Sequence, residues 1–135
     1  TAQLVQNVYT QIDRHTWYVQ LILNELFILT DKKGICDVPM INLALNNIIA
    51  TQDFTFQEIF SRLPEKQKEI MIAIAKEQKA KGVTSAAFIK KYRLTSASSV
   101  QSGLKGLLEK DMLTQESGGY QVYDRLFNIW LRRNY

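Results

Sequence analysis

The feature that most constrains the fold is the region 94–123, in which a helix begins at hydroxyl residues and runs into a glycine turn. The stretch LTSASSVQSGLKGLLEKDML has apolar residues at helical spacing, and either Thr95 or Ser96 can cap its start. Short strand candidates follow at 112–116 and 120–123, joined through Ser-Gly-Gly. This pattern predicts a helix followed directly by a small β-hairpin.

The segments on either side complete an order of elements. LPEKQKEIMIAIAKEQKAKG predicts a helix that starts at Pro64 and ends at Gly82, with acids early and lysines late, as the helix dipole favours. Thr84 or Ser85 caps a shorter helix through AAFIKKYR, and the chain ends with the helix DRLFNIWLRRNY. Helix, helix, turn, helix and hairpin is the order of a winged helix–turn–helix domain. The third helix of such domains enters the major groove when they bind DNA.

The first 61 residues predict a separate, wholly helical region. An almost uniformly hydrophobic helix begins near Thr16 and is broken at 31–34. Asp37 caps the next helix, with Pro39 in its first turn, and a shorter helix runs from about Thr55 to 62. The chain therefore predicts a mainly α fold with two domains, 1–61 and 62–135.

Composition excludes several classes of protein. One cysteine and one histidine rule out an internal disulfide and a Cys/His metal cluster, and the single cysteine fits a reducing cytoplasm. The longest apolar run, 17–29, contains Gln20, Asn24 and Glu25 and is too short to span a bilayer. We therefore expect a cytoplasmic protein without a membrane partner.

Charge is distributed unevenly along the chain. Residues 1–60 carry three basic and six acidic side chains, whereas residues 61–135 carry 14 basic and seven acidic ones. The basic half is typical of a surface that meets a polyanion, and equally of an ordinary solvated surface. Charge alone leaves both interpretations open.

Two glycines, Gly103 and Gly106, fall inside the third helix of the basic half. Each costs about 1 kcal/mol relative to alanine in a helix interior. With Ser99 and Ser102 they form a strip of small residues that permits close approach, and a neighbouring helix of the same domain is the simplest candidate.

The second half resembles the C-terminal winged-helix domain of a family of archaeal and bacterial AAA-type ATPases. In that family a P-loop ATPase domain precedes a helical lid and this winged helix. The run HTWYVQLI at 15–22 is similar to the start of the family's lid helix, although Thr16 stands where the family has proline and Arg14 where it has glycine. The matching positions of the winged helix are Leu63, Pro64, Gln67, Leu107, Lys110, Met112, Leu113, Tyr120, Val122, Asp124, Leu126, Phe127, Trp130, Leu131 and Arg132.

The resemblance implies a helical lid over 1–61 followed by the winged helix, excised from a longer ATPase. It implies ATP and Mg²⁺ as cofactors of the intact protein, the protein's own ATPase domain as a partner, and oligomerisation as an option. It also makes Arg14 or His15 a candidate sensor of the nucleotide, with a solvent-exposed helix start as the alternative. The chain itself contains no GxxxxGK[ST] string, so we expect no ATPase activity from it alone and no bound cofactor.

Three functions remain open. In the first, the winged helix binds double-stranded DNA weakly and with little sequence specificity, because its third helix lacks arginine, the commonest reader of guanine. In the second, it docks on the ATPase core or a partner protein, with Phe127 and Trp130 either anchoring that interface or closing the domain's own core. In the third, residues 1–60 hold a small-molecule pocket of a free-standing regulator. The candidate DNA-binding residues are Lys90, Lys91, Arg93, Ser98, Ser99, Gln101, Ser102 and Lys105.

Overall fold

The computed structural model of the chain describes residues 2–3, 5–6, 16–29 and 38–135, with only the backbone described at 16–19 and 28–29. Residues 2–3 and 5–6 are helical, and the remainder forms six helices and one hairpin. The described chain divides into two compact units, Thr1–Phe54 and Thr55–Tyr135. In chain order the elements are α1 (Thr16–Leu29), α2 (Val38–Ser61), α3 (Glu65–Glu77), α4 (Ala86–Lys91), α5 (Ala97–Glu109), β1 (Leu113–Glu116), β2 (Gly119–Val122) and α6 (Arg125–Asn134).

The first unit is helical, as predicted. The amide of Asn47 in α2 donates to the carboxylate of Glu25 in α1 at 3.4 Å. Pro39 lies in the first turn of α2, a position where proline needs no hydrogen-bond donor, whereas the predicted cap Asp37 and the break at 31–34 lie outside the described residues. Among the side chains that the structure describes in this unit, the buried ones are Ile22, Leu26, Ile41, Ala44, Leu45, Ile48 and Ile49.

Helix α2 is longer than the sequence pattern predicted. The prediction of a separate helix from about Thr55 was wrong. Helix α2 runs without a break from Val38 to Ser61, a length of 24 residues. Nothing between 50 and 55 is a glycine or proline, and the Thr51 hydroxyl donates to the Asn47 carbonyl at 2.8 Å within the helix. The last turns of α2 belong to the second unit, since that unit begins at Thr55. The two units therefore divide between residues 54 and 55, seven residues before the boundary predicted between 61 and 62.

An aromatic cluster holds the end of α2 against α6. The Phe56 ring lies 5.2 Å from the Phe127 ring and 5.9 Å from the Trp130 ring, and Phe60 lies 5.0 Å from Tyr135. Phe127 and Trp130 are almost fully buried, so they close the core of their own unit and cannot anchor an external interface. Asp124 caps α6 by accepting hydrogen bonds from the backbone amides of residues 126 and 127.

Helix α3 ends earlier than predicted, and the reason lies in a distant part of the sequence. The helix stops at Glu77, where Gln78 takes a positive φ of 64°, rather than at Gly82. The next residues leave the helix because Ala80 pairs with Tyr120 of β2 as an antiparallel bridge, with N···O distances of 2.9 and 2.8 Å. The chain at Ala80 is therefore bridged to the free edge of β2 in the two-stranded hairpin.

The hairpin itself follows the prediction closely. β1 and β2 pair antiparallel with Leu113 opposite Val122, and a two-residue turn at Ser117 and Gly118 joins them. Both turn residues have positive φ, 51° and 75°, which is the geometry that suits the twist of two-residue hairpins. Together with α3, α4 and α5, this hairpin gives the second unit the element order of a winged helix.

Candidate nucleic-acid interface

Helix α5 has one packed face and one exposed face. Val100, Leu104 and Leu107 are buried, which agrees with the helical spacing of the apolar residues, whereas Ala97 in the first turn is exposed. The glycines explain how closely the helix packs. A Cβ at Gly103 would stand 2.3 Å from Ile70 Cδ1 of α3, and one at Gly106 would stand 2.5 Å from Gln67 Nε2. The predicted close approach of a neighbouring helix is confirmed, and that helix is α3.

The exposed face of α5 is polar and nearly uncharged. Ser98, Gln101, Ser102 and Lys105 are exposed at successive helical turns, while Ser99 is half-buried at the edge of this face. Glu109 continues the exposed stripe and adds a negative charge at its end. The structure thus places the predicted α5 residues side by side on one surface, which we call the α5 outer face.

Hydroxyl groups organise the start of α5. Ser96 is the cap, since its Oγ accepts a hydrogen bond from the Ser99 amide at 3.2 Å. The hydroxyls of Ser96 and Ser98 lie 3.2 Å apart and share a further hydrogen bond. The Ser99 amide is therefore used within the fold, whereas the side chains of Gln101 and Ser102 form no hydrogen bond within the described part of the chain and can meet a ligand.

The three cations near the end of α4 differ in what they contact. The Lys91 ammonium is 2.7 Å from a Glu77 carboxylate oxygen, to which the Tyr92 hydroxyl also donates. Over the described residues, Lys90 and Arg93 form no ion pair, and both are exposed. Arg93 has a positive φ of 54°, in the turn that leads to α5. Lys90 and Arg93 therefore keep their charge available to solvent, whereas Lys91 is held in an exposed ion pair with Glu77.

The cluster around Glu77 shifts three pKa values. The hydrogen bond from Lys91, followed by that from Tyr92, lowers the pKa of the Glu77 carboxyl below its ordinary 4.5. The bond to Glu77 raises the pKa of the Lys91 ammonium, and burial raises the pKa of the Tyr92 hydroxyl. Glu77 and Lys91 are therefore ionised at neutral pH, Tyr92 keeps its proton, and the three side chains tie the end of α3 to the end of α4.

A groove runs beside the α5 outer face, between α5 and the hairpin. Its volume is about 440 Å³, and its polar lining includes Gln101 and Lys105 of α5 together with Thr84, Gln115 and Tyr120. The last three were missed from the sequence, because they come from a loop and from both hairpin strands and are brought together only by pairing across the fold. On the other side of α5, a second groove of about 460 Å³ extends to the start of α3. Its polar lining includes Lys66, Gln67, Ser98 and Ser102.

The predicted nucleotide sensor falls on residues that the structure does not describe. Arg14 and His15 lie outside the described residues. Over the residues with described side chains, no three His, Cys, Asp or Glu residues come close enough together to hold a metal ion. No helix within the described ranges combines the length and the hydrophobicity that crossing a bilayer requires.

Comparison with known proteins identifies one relationship. The model of a family described as "probable winged helix domain" matches residues 54–133, more than half of the chain. No curated protein and no solved structure matches. The matched region covers the whole second unit except its last two residues and begins one residue before it, inside α2.

Proposed function

This chain belongs to the family of probable winged helix domains, and from that premise we propose that its second unit binds the backbone of double-stranded DNA. The observation that carries the proposal is a set of exposed cations on α4, on the turn after it and on α5. Lys90, Arg93 and Lys105 are exposed, and in the described part of the chain none of them takes part in an ion pair or a side-chain hydrogen bond. Such cations can neutralise phosphates without giving up a contact that stabilises the fold.

The chemistry of α5 suits a binding mode with little sequence specificity. Arginine, which reads guanine through two hydrogen bonds, is absent from the helix, and Lys105 is its one cation. Gln101 is exposed near the middle of the helix and is the side chain best suited to a base edge, since glutamine pairs with adenine. Ser98 and Ser102 can donate to phosphates. We therefore expect phosphate contacts to supply most of the affinity.

The test is fluorescence anisotropy of a labelled duplex with the whole chain, at about 50 and about 200 mM salt. We expect binding that weakens steeply between the two salt concentrations. Lys90→Glu/Arg93→Glu/Lys105→Glu should abolish the binding, with an unchanged circular dichroism spectrum. The matched control is Arg132→Glu, which reverses an exposed charge on α6, a helix that packs on α3 and β2. Undiminished binding by the triple variant would contradict the proposal.

A protein-docking role is the alternative, and the charge of α5 favours it. The α5 outer face carries one basic and one acidic residue, Lys105 and Glu109, so its net charge is close to zero. A near-neutral, polar helix face with a groove on either side also suits a protein partner, such as an ATPase core in the same polypeptide. Absence of DNA binding at about 50 mM salt, with the chain folded, would favour this function over the first.

We further propose that the intact protein is an AAA-type ATPase that uses ATP and Mg²⁺, with residues 1–61 as its lid. Support comes from the resemblance of the 15–22 run to a lid helix and from the motif positions in the second unit. On this proposal Arg14 or His15 contacts the nucleotide. ATP hydrolysis by the full-length polypeptide, with Arg14→Ala and His15→Ala as variants, tests it. A full-length protein without a P-loop upstream of Thr1 would refute it.

A further inference from the structure

The isolated bridge at Ala80 places two lysines beside the hairpin. Ala80 exchanges two backbone hydrogen bonds with Tyr120, so Lys79 lies beside Gln121 and Lys81 beside Gly119, as antiparallel pairing requires. A side-chain carbon at Gly119 would be 3.5 Å from Lys81 Cγ, so the lysine stem lies over that strand. The segment 79–81 therefore lies along β2, at the edge of the two-stranded sheet.

The two lysines share one face of this sheet. Successive side chains in a strand alternate between faces, so Lys79 and Lys81 point away from the side on which Ala80, 1% exposed, enters the core. Both lysines are exposed, and within the described chain neither forms an ion pair. They line a cavity of about 200 Å³ with Glu116, Ser117 and Gln121. We call this surface the outer sheet face.

The outer sheet face lies on the far side of the hairpin from α5. Gln115 and Tyr120 point to the other side, where they line the groove shared with α5. The hairpin itself, from Leu113 to Val122, contains no basic residue and one acid, Glu116. The lysine pair therefore reverses the sign of the charge that the hairpin would have alone.

Arg125 holds the Gln121 side chain in place on this face. Its guanidinium donates to the Gln121 side chain and to the Val122 carbonyl, each at 2.6 Å. This fixes the Gln121 amide beside Lys79 on the outer sheet face. The face thus combines two exposed lysines, one carboxylate (Glu116), an oriented amide and the Ser117 hydroxyl. Its charged side chains sum to +1, and its donors are suited to hold phosphate oxygens.

We propose that Lys79 and Lys81 bind two backbone phosphates of the nucleic acid beyond the hairpin, so that the duplex contacts α5 on one side of the hairpin and the outer sheet face on the other. This inference rests on the proposed function, because α5 must first bring the duplex to the domain. It assigns the phosphate contacts of the hairpin to a segment more than 30 residues earlier in the chain.

The test compares the salt dependence of DNA binding among variants of the whole chain. The slope of log K against log salt concentration is negative, and each phosphate contact adds about 0.9 to its magnitude. Lys79→Gln/Lys81→Gln should therefore reduce the magnitude of the slope by about 1.8, and Lys79→Arg/Lys81→Arg should retain it. Lys105→Gln is the control for the α5 contact, with an expected decrease in magnitude of about 0.9. Thermal unfolding curves check that each variant is folded.

The outcomes separate the inference from the function on which it rests. If the unmodified chain binds no duplex, both are refuted. If Lys105→Gln reduces the magnitude of the slope while Lys79→Gln/Lys81→Gln leaves it unchanged, the α5 interface stands and the outer sheet face is refuted. If Lys79→Arg/Lys81→Arg reduces the magnitude of the slope as much as the glutamine variant does, the two positions do not act through their positive charge, and the inference is wrong.

Discussion

The two faces of α5 have opposite explanations. On the face toward α3, each residue has a packing reason, down to the two glycines that keep Ile70 and Gln67 from colliding with the helix. On the outer face, Ser98, Gln101, Ser102 and Lys105 touch solvent, and packing within the unit accounts for none of them. The same 13 residues thus carry both the core of the domain and its candidate interface.

The difference shows why residues of low helix propensity occur in α5. Glycine costs about 1 kcal/mol in a helix interior and serine somewhat less, so α5 is intrinsically a weak helix. Two of its costly residues, Gly103 and Gly106, are required by contact with α3, whereas Ser102 has no such contact in the described chain and Ser98 shares only a hydrogen bond with the Ser96 hydroxyl. Residues of the second kind are the ones to test for binding, and residues of the first kind for stability.

The largest effect should come from the packed face. Leu107→Ala removes a side chain that is 0% exposed, and we expect it to lower the free energy of unfolding by about 2–5 kcal/mol, because the packed helices cannot close the resulting cavity. Ser102→Ala on the outer face is the matched control and should change stability by no more than about 0.5 kcal/mol. Urea unfolding of both variants measures this. Equal losses in the two variants would break the distinction between the faces.

A finer test concerns the two glycines. Gly103→Ala should destabilise by about 1–3 kcal/mol, because the new methyl group meets Ile70, which is buried in a packed core and cannot move aside. Gly106→Ala should be neutral or stabilise by up to about 1 kcal/mol, since the methyl group meets the end of the Gln67 side chain, which can swing into solvent while the helix gains propensity. Thermal unfolding of the two variants distinguishes them.

The opposite ranking would show that α3 and α5 are not held as closely at Gly103 as the structure describes. A loss in both variants would instead assign Gln67 a fixed position. Gln67 also accepts a hydrogen bond from Lys110 at 2.8 Å, and Lys110→Ala, which removes only that bond, separates the two causes.

Much of the second unit follows from local sequence. The caps Ser85 and Ser96, the glycine turn of the hairpin and the buried stripe of α5 are each dictated by residues within a few positions of one another, and they were predicted with an error of one or two residues. These are the features that short-range geometry controls.

What could not be predicted depends on contacts between distant segments. The early end of α3 needs Tyr120 as partner for Ala80, and the loss of Lys91 as a free cation needs Glu77, which no periodic pattern brings near it. The grouping of Thr84 with Gln115 likewise requires the folded hairpin. Contacts between distant segments decide which side chains are used within the fold and which remain available to a ligand. They therefore change the list of candidate binding residues.

The smallest effect concerns Lys91, which sequence spacing placed with the binding residues and the structure pairs with Glu77. Because the folded-state pKa of Glu77 lies below its ordinary 4.5, the pair stabilises the fold above that pH, and the contribution disappears as pH falls through the folded-state value. Glu77→Gln should therefore lower the free energy of unfolding at pH 7 by less than Gly103→Ala does, and the difference from the unmodified chain should vanish in acid. Urea unfolding at pH 7 and at successively lower pH measures this. A difference that persists at the lowest pH would mean that Glu77 stabilises the fold through its shape rather than its charge.

The same variant tests the part of Lys91 in binding. If Glu77→Gln also strengthens DNA binding at low salt, the released Lys91 ammonium has joined the cations of the interface.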